Sequence, residues 1–203
     1  MIEITNEDNM QLMARYEDNY FDLAIVDPPY GINIKTRVFN DGKKWDSKIP
    51  EKEYFDELFR VSKNQIIWGG NYYIEYLKNS PCWIVWDKLD TTVSNQWRAE
   101  LAWTSFDKST YICKTKRPGE RGFFTVDYKR IHPTQKAVAL YKYCLNTYAK
   151  KGDKILDTHL GSGSIAIACH EYKFDLTACE IDKQYFNDAA KRLKIAQMQT
   201  KLF

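Results

Sequence analysis

The segment AIVDPPYG, residues 24–31, brings together groups that can do chemistry at the end of an apolar run. Asp27 supplies a carboxylate, Pro28 and Pro29 supply rigid carbonyl groups, and Tyr30 supplies an aromatic ring. Proline has no backbone N–H and cannot continue a sheet, so the segment predicts the end of a buried strand. The sequence therefore places hydrogen-bond acceptors beside a flat ring at a stiff position.

A second informative stretch, KILDTHLGSGSIA at residues 154–166, is typical of a strand, a glycine turn and a helix start. Gly161 and Gly163 allow a tight turn and a close approach of a ligand to the backbone. Glu180 ends the next predicted strand, where a carboxylate can accept from both hydroxyls of a ribose. No lysine follows the glycines, which disfavours a triphosphate site. A dinucleotide site stays open, but Asp157 at the loop mouth favours a ligand with a positive centre.

The elements that must position these residues follow from hydrophobic periodicity. Short apolar runs alternate with amphipathic stretches, which is typical of a parallel sheet covered on both faces. The predicted strands are residues 2–4, 21–26, 64–68, 82–86, 100–106, 109–114, 153–157 and 175–181, and the predicted helices are residues 8–16, 51–62, 71–79, 135–150, 163–173 and 183–197. The expected fold class is α/β, a Rossmann-like doubly wound and mostly parallel sheet. An antiparallel hairpin at one edge is predicted from residues 100–106 and 109–114.

In a doubly wound sheet, ligands bind beyond the carboxyl ends of the strands. Several apolar runs lead into an acid or amide at that edge: Asp27, Asn71, Asp87, Asp157 and Glu180. A single strand-end acid is weak support for a site, because acids end strands for reasons of solvation. The convergence of several on one edge predicts a binding site there.

Length and composition limit the class of protein. With 203 residues, 44% of them hydrophobic and 28% charged, the chain predicts one globular domain over residues 1–203. No apolar run is long enough to span a membrane and the first residues lack a signal-peptide pattern, so we expect a cytoplasmic protein. Five scattered cysteines and three histidines show no ligand spacing, so buried reduced thiols and no bound metal are expected.

Basic residues are concentrated in two segments despite a net charge of only +3. Residues 31–50 form a long irregular stretch with interleaved lysines, arginine and aromatic rings, and residues 107–131 carry a second basic cluster. A solvated surface would explain either cluster, but a polyanionic partner explains both. A polyanion is therefore the partner that we expect these two insertions to contact.

Three motifs in order identify a resemblance. The chain has Asp27-Pro28-Pro29-Tyr30, then His132-Pro133-Thr134-Gln135-Lys136, then the glycine loop from Asp157 to Ser164 followed by Glu180-Ile181-Asp182. This order resembles the amino-methylating DNA methyltransferases of the permuted, beta class, and the match runs over nearly the whole chain. The resemblance implies S-adenosylmethionine as cofactor and double-stranded DNA as partner, and it is compatible with a homodimer.

The resemblance also implies a role for the D-P-P-Y motif. An exocyclic amine is a poor nucleophile, because its lone pair is delocalised into the base. If Asp27 and the carbonyl of Pro28 each accept one amine hydrogen, the lone pair is aimed at the methyl donor. Pro29 helps to hold that carbonyl still, and Tyr30 stacks on a base rotated out of the duplex.

The implied cofactor residues lie in five places in the chain. Asp8 would accept from the adenine of the cofactor, and a cationic Lys136 would meet its carboxylate. The full implied set is Asp8, Asp27, His132, Thr134, Lys136, Asp157, His159, Gly161, Ser162, Gly163, Ser164, Glu180 and Ile181. The chain departs from the family at His159, where an aromatic residue is usual, and this imidazole would add pH sensitivity.

The predicted activity is transfer of a methyl group to the N6 amine of adenine in DNA, because an acid at the first motif position favours adenine in this family. N4 methylation of cytosine is the alternative, since the acceptors serve either amine. A nicotinamide-dependent oxidoreductase using the same glycine loop is an alternative from another class, and RNA as substrate stays open. Room for a separate target-recognition domain is lacking.

Overall fold

The computed structural model describes residues 1–33, 45–88, 98–115 and 131–199. Within these ranges an eight-stranded sheet carries helices on both faces. The strands are β1 (Ile2–Thr5), β2 (Phe21–Val26), β3 (Ser62–Trp68), β4 (Trp83–Asp87), β5 (Ala99–Thr104), β6 (Tyr111–Lys114), β7 (Lys154–Asp157) and β8 (Asp175–Cys179). The helices are α1 (Asn9–Met13), α2 (Lys52–Val61), α3 (Val138–Tyr148), α4 (Ser164–Tyr172) and α5 (Lys183–Gln199). The predicted α/β fold is confirmed.

The sheet order is β1-β8-β7-β2-β3-β5-β4-β6. Only β5, among the described strands, runs against the others, since it pairs antiparallel with both β3 and β4. The central strand β2 lies between β7 and β3, with Ala24 opposite Leu156 on one side and Gln65 on the other. The carboxyl ends of β2, β7 and β8 therefore meet at one edge of the sheet.

The predicted hairpin between residues 100–106 and 109–114 is wrong in its pairing. β5 pairs with β3 and β4, whereas β6 pairs parallel with β4 on the other side. Ile84 and Trp86 of β4 are buried between the two, and the six residues that follow β5 carry the chain across about 10 Å, two inter-strand spacings. The antiparallel pair near this edge is formed by β4 and β5 instead.

Two predicted helices also differ from the structure. Residues 71–79 were expected to form one helix, but they contain two short 3₁₀ turns, Gly70–Tyr72 and Ile74–Tyr76. Tyr73 interrupts them with a non-helical backbone because its ring is buried in the core. The helix expected from residue 135 begins only at Val138, which leaves the preceding H-P-T-Q-K segment as a loop facing the edge of the sheet.

Both faces of the sheet are buried, as the near-continuous apolar strands predict. Along β2, Leu23 and Ile25 point into a core shared with α3, α4 and α5, whereas Ala24 and Val26 point into a core shared with α1 and α2. This period of two fixes the register of β2, because a slip by one residue would exchange its two faces. All five cysteines are buried free thiols.

Over the described ranges, no helix is both long and apolar enough to cross a membrane. The same ranges contain no group of three or more His, Cys, Asp or Glu side chains that could hold a metal ion.

Candidate active site

The D-P-P-Y segment leaves the sheet at the end of β2 and is held by a carboxylate further along the chain. Oδ1 of Asp46 accepts hydrogen bonds from the backbone N–H of Tyr30 at 2.8 Å and of Gly31 at 3.1 Å. Asp46 is itself buried. The turn is therefore fixed from outside as well as by its prolines, and Asp27 and Tyr30 keep a defined separation.

The ring of Tyr30 lies on a glycine. Gly69, directly after β3, has φ +72°, and a Cβ built there would come within 2.3 Å of the Tyr30 ring. Tyr30 also stacks on Tyr72, with ring centroids 5.1 Å apart and an interplanar angle of 17°. Gly69 thus serves a close approach as well as a left-handed backbone, and the stacking of Tyr30 on a base stays a prediction.

The carbonyl of Pro28, the predicted second acceptor, already has a protein neighbour. The hydroxyl of Tyr73 lies 2.7 Å from the carbonyl oxygens of both Pro28 and Pro29. A hydroxyl has one hydrogen, so it is shared between the two carbonyls, and each carbonyl oxygen keeps a second lone pair. Tyr73 therefore fixes the Pro28 carbonyl without exhausting its capacity to accept.

Asp27 belongs to a buried cluster of charges. The ammonium of Lys136 lies 2.5 Å from Oδ2 of Asp27, 3.3 Å from Oε2 of Glu100 and 3.1 Å from the hydroxyl oxygen of Tyr30. The Tyr30 hydroxyl donates to Oδ1 of Asp27 at 2.8 Å. Lys88 forms an ion pair with Oε1 of Glu100. Two cations and two carboxylates thus balance one another at the end of β2, and the three N–H donors of Lys136 meet three acceptors.

Burial and pairing act in opposite directions on this cluster. Burial raises the pKa of Asp27, although the Lys136 ammonium opposes the shift. Burial also works against ionisation of Glu100, but its two lysine partners lower the pKa of that carboxyl to about 2. The pKa of Lys136 is raised, since its two carboxylates outweigh desolvation. With the pKa of Asp27 raised and that of Glu100 lowered, Asp27 is the carboxyl of the two that takes up a proton first as the pH falls.

The structure places Lys136 differently from the sequence prediction. Its ammonium was expected at the carboxylate of a cofactor, whereas it contacts Asp27 and Glu100 of the chain itself. Its side chain is only 2% exposed. Lys136 thus joins the H-P-T-Q-K segment to the D-P-P-Y segment, and a contact with the cofactor carboxylate stays a prediction.

Glu180, the predicted ribose acceptor, is held by backbone donors. Its Oε2 accepts from the N–H of Gly161 at 2.8 Å and its Oε1 from the N–H of Asp182 at 2.9 Å. The glycine loop and the end of β8 are thereby locked together. Gly163 has φ +72°, and a Cβ there would approach the Ala189 side chain of α5 to 3.1 Å, so Gly163 serves the close packing of loop and helix. Gly161, with φ +52°, serves the left-handed backbone of the turn.

Asp157 ends β7 beneath the glycine loop and differs from Asp27 in its partners. It accepts from the N–H of His159 at 3.0 Å, and no ammonium or guanidinium group of the described residues lies within ion-pair distance. It is 1% exposed, and this burial raises its pKa to about 8. A bound cation would favour its carboxylate form.

His159 is held neutral. Asn9 places its amide nitrogen 3.2 Å from Nε2, and Thr158 places its hydroxyl 3.0 Å from Nδ1. Burial lowers the pKa of His159 to about 3. The pH sensitivity expected from an imidazole at this position is therefore not supported, because the ring does not titrate near neutral pH.

The two serines of the loop have structural contacts. The Ser164 hydroxyl donates to the carbonyl of Lys136 at 2.7 Å and lies 3.1 Å from the Ser162 hydroxyl. Arg192 of α5 reaches across to donate to the carbonyl of Ser162 at 2.8 Å and to Oγ of Ser164 at 2.9 Å. The glycine loop is thus tied to the backbone of Lys136, which brings both halves of the site together.

Two predicted residues of the H-P-T-Q-K segment lie beside the glycine loop. Nδ1 of His132 accepts from the N–H of Thr134 at 3.3 Å, and the His132 ring packs edge-on against Tyr185 at 4.4 Å between centroids. A Cβ at Gly161 would lie 3.8 Å from His132. The segment therefore lies beside the glycine loop, and its contact with a cofactor stays a prediction.

Asp8 and Ile181 flank that site on either side. Asp8 caps α1, with Oδ1 accepting from the N–H of Met10 at 2.9 Å and of Gln11 at 3.3 Å. Ile181 is 70% exposed, an uncommon position for an aliphatic side chain next to the buried Glu180. Asn6 connects the two segments by donating to the carbonyls of Glu180 and Ile181.

The structure adds residues that the sequence analysis missed: Asp46, Tyr72, Tyr73, Lys88, Glu100 and Arg192. Glu100 was counted only as part of a strand, and the position of β5 beside β3 is what brings it to Lys136. Asp46 was missed because residues 31–50, which contain it, were considered only for their basic and aromatic side chains. The sequence did contain a signal for this region, because the glycine pair Gly69-Gly70 after a strand indicates that a side-chain ring can pack closely against the backbone there.

Most of the two predicted DNA-contacting insertions, 31–50 and 107–131, lies outside the described residues, which omit 34–44 and 116–130. Within the described part, Lys108 donates to the carbonyl of Thr147 and lies over the rings of Phe106 and Tyr148. Lys114 ends β6 and is exposed. The part that is described does not test the contact with nucleic acid.

The side chains beside the glycine loop fit a ligand with a ribose and a positive centre. Glu180 offers a carboxylate oriented by backbone N–H groups, and Asp157 is a buried carboxyl that a cation would ionise. The exposed Ile181 offers an apolar surface for a base. S-adenosylmethionine has these features, whereas the acids at the loop suit a pyrophosphate poorly.

Comparison with solved structures confirms the fold. The chain matches the M1.HpyAVI–SAM complex with a TM-score of 0.63 at 20% identity, covering 95% of this chain and 99% of that one. It matches the PvuII DNA methyltransferase, described as cytosine-N4-specific, with a TM-score of 0.67 at 9% identity, covering 97% and 90%. A putative DNA modification methylase of Thermus thermophilus, complexed with S-adenosyl-L-methionine, matches with a TM-score of 0.61 at 14% identity, covering 97% and 94%. The expected cofactor is thus the one that two of these neighbours contain.

Sequence comparison agrees with the structural one. The chain is 25% identical over 226 aligned residues to the type II methyltransferase M.HpaI of Haemophilus parainfluenzae, with 91% of this chain and 71% of that protein covered. The profile of the N6/N4 DNA methylases matches residues 65–191, well over half of the chain. With this match and the D-P-P-Y and glycine-loop segments at neighbouring strand ends, the chain belongs to the N6/N4 DNA methylase family.

Proposed function

We propose that this protein transfers a methyl group from S-adenosylmethionine to the N6 amine of an adenine rotated out of double-stranded DNA. One observation carries the proposal: β2 and β7 are adjacent parallel strands, so the acceptors at the end of β2 lie next to the glycine loop at the end of β7. A methyl acceptor and a methyl donor bound at these two ends would be neighbours.

The chemistry assigned to the chain concerns the amine. Asp27 and the Pro28 carbonyl each accept one amine hydrogen, which draws the nitrogen lone pair out of the ring system. When bound, S-adenosylmethionine supplies an electrophilic methyl group on a sulfonium centre. Transfer leaves the amine nitrogen with one proton too many. Asp27 is placed to take that proton, and its raised pKa suits a proton acceptor.

Tyr30 and its neighbours provide the surface for the base. The ring packs against Gly69 and stacks on Tyr72, and its hydroxyl donates to Asp27, so its orientation is fixed before a base arrives. A preorganised ring stabilises an unstacked base at a small entropic cost, which offsets part of the energy of base flipping.

Adenine is proposed over cytosine because of Asp27. The resemblance associates an acid at this motif position with adenine, and the family itself includes methylases of either amine. The cytosine-specific structural neighbour is only 9% identical, so its likeness supports the fold and not the base. N4 methylation of cytosine is the second candidate. The family match leaves no support for the oxidoreductase alternative.

The test is direct. Wild-type protein is incubated with methyl-labelled S-adenosylmethionine and unmethylated genomic DNA, and the DNA is digested to nucleosides. Labelled 6-methyladenine is expected. Labelled 4-methylcytosine alone would overturn the adenine assignment, and label on an RNA substrate but not on DNA would overturn the choice of partner.

The single-domain organisation and the basic insertions are part of the same proposal. Residues 31–50 and 107–131 would contact the duplex, helped by a second copy of the chain if it forms a homodimer. Neutralising Lys114, Lys116 and Arg117 together is expected to weaken DNA binding and to lower the slope of log affinity against log salt by about 2 to 3. An unchanged slope would show that these charges are only solvated surface.

A further inference from the structure

The pairing of Lys136 with Asp27 raises a difficulty for the proposed reaction. Both oxygens of Asp27 already have a donor, the Tyr30 hydroxyl on Oδ1 and the Lys136 ammonium on Oδ2. An ammonium on a carboxylate oxygen withdraws the negative charge that a neutral amine needs from its acceptor. Asp27 can serve the amine well only if the contact with Lys136 loosens.

Lys136 has little freedom to leave. Its side chain is 2% exposed, and its ammonium lies 5.6 Å from the centre of the Tyr30 ring and 5.3 Å from that of Trp68. Its backbone is held by the Ser164 hydroxyl at the glycine loop. Because a buried ammonium without a counterion is costly, a loosened contact with Asp27 requires another anion within reach.

Glu100 is that anion. Its Oε2 already lies 3.3 Å from the Lys136 ammonium, and its other oxygen is fixed by Lys88. With its pKa lowered to about 2 by these two lysines against the effect of burial, Glu100 stays ionised throughout the working range. The Lys136 ammonium can therefore move away from Asp27 and closer to Glu100, and it keeps an ionised partner throughout.

We propose that Glu100 is a positioning residue, which holds the Lys136 ammonium when the target amine donates its hydrogen bond to Asp27. Asp27 is then free to accept from the amine, and the buried Lys136 ammonium is not left without a counterion. This inference rests on the proposed function, because it assigns a partner to the same reacting acid. Lys88 supports Glu100 through its second oxygen.

The groups that face Asp27 determine how a pH profile would report this arrangement. Among the residues that the structure describes, the groups that interact electrostatically with Asp27 are Lys136 and Glu100, the phenols of Tyr30, Tyr54, Tyr73 and Tyr141, and the carboxyl of Asp157. Among these, Glu100 acts on Asp27 as a like charge that raises its pKa. Removing that charge should lower the pH at which Asp27 ionises.

The experiment compares wild type, Glu100→Gln and Glu171→Gln in steady-state methylation of unmethylated genomic DNA from pH 5 to 9. Glu171 pairs with Lys142 between α4 and α3, away from the site, and supplies a matched loss of one paired glutamate. For Glu100→Gln we expect a fall in kcat of about 30-fold, an acid limb displaced to lower pH, and an affinity for S-adenosylmethionine, measured by calorimetry, within about twofold of wild type. Glu171→Gln should match wild type in all three.

A folded Glu100→Gln variant with kcat within about threefold of wild type would overturn the inference. A large fall in kcat with the acid limb of the pH profile unmoved would also overturn it, because that result indicates a purely structural role for Glu100. If a melting curve shows that Glu100→Gln does not fold, Glu100→Asp decides. The aspartate keeps the negative charge, but its side chain is one methylene shorter, so the charge lies further from Lys136. We expect kcat to fall about fivefold and the acid limb of the pH profile to stay in place. A wild-type kcat would contradict the proposal. A wild-type protein that methylates no DNA would overturn the proposed function instead.

Discussion

Asp27 and Asp157 lie at the ends of neighbouring strands of one sheet, and their carboxyl groups have different partners. Both carboxyls are buried at the same edge, but Asp27 is surrounded by a lysine ammonium and a tyrosine hydroxyl, whereas Asp157 receives a backbone N–H. Burial raises the pKa of both groups, but the Lys136 ammonium opposes the shift of Asp27, whereas Asp157 has no such partner among the described residues and its pKa rises to about 8. Under the proposed function, the β2 end would meet a neutral amine and the β7 end a cation.

The largest effect is expected from loss of the acid at the β2 end. Asp27→Asn removes the negative acceptor and should lower kcat at least about 10³-fold, comparable with the loss of a key electrostatic contact to a transition state. Binding of S-adenosylmethionine, measured by calorimetry, should change by less than about fivefold. Asp22→Asn, which alters an acid near the opposite end of β2 that pairs with Lys63, is the matched control and should retain wild-type kcat.

A change at Gly69 tests how strictly the Tyr30 ring must be placed. Gly69→Ala builds a Cβ within 2.3 Å of that ring at φ +72°, so the ring must move, and kcat should fall about 10²-fold. Gly152→Ala is a sharp control, because Gly152 also has a positive φ, +92°, but nothing lies within 4 Å of its Cβ. It should lose about 1 kcal/mol of stability and no activity. Equal kcat values for the two variants would contradict a role for the ring.

At the β7–β8 end, Glu180 should matter for binding more than for turnover. Glu180→Gln keeps the size of the side chain but removes the charge that accepts from the loop and, in the proposal, from the ribose. The affinity for S-adenosylmethionine should fall about 10- to 100-fold, since hydrogen bonds to charged groups contribute about 1.5–3 kcal/mol. Calorimetric titration measures this directly, and an unchanged affinity would place the cofactor elsewhere.

The smallest and most diagnostic effect concerns pH. If a cation ionises Asp157, cofactor affinity should rise with pH up to about 8, by up to about tenfold per unit, and level off above it. The same raised pKa means that the cofactor-free protein should lose stability from this group as pH rises from about 4 towards 8. Asp157→Asn should flatten both dependences. A flat affinity profile in the wild type would contradict a cation at Asp157.

The sequence predicted the two ends of the site because each is a local motif. A proline pair after a buried strand and a glycine loop before a helix specify their own conformations, and parallel strands bring them to one edge. Glu100 was not predictable in this way. It reaches Lys136 only because β5 inserts between β3 and β4, and that pairing was misassigned from a short turn signal at residues 107–109.

The same limit explains why the contacts of Lys136 with Asp27 and Glu100 were not predicted. A lysine near a predicted cofactor loop suggests a partner for the carboxylate of the cofactor, since the sequence does not show how far its side chain reaches. The loop that precedes α3 turns Lys136 into the interior, where two carboxylates from separate strands outweigh the cost of burying its charge. Pairing at long sequence separation is set by the assembled sheet and not by local pattern.

The central claim is that the acid at the end of β2 drives methyl transfer to an exocyclic amine while the β7 end holds the methyl donor. Wild type and Asp27→Asn are loaded with methyl-labelled S-adenosylmethionine and given unmethylated DNA in a single turnover, and the nucleosides are separated. We predict labelled 6-methyladenine from the wild type and almost none from the variant, although the variant binds the cofactor. Equal labelling of the DNA by both proteins would contradict the account.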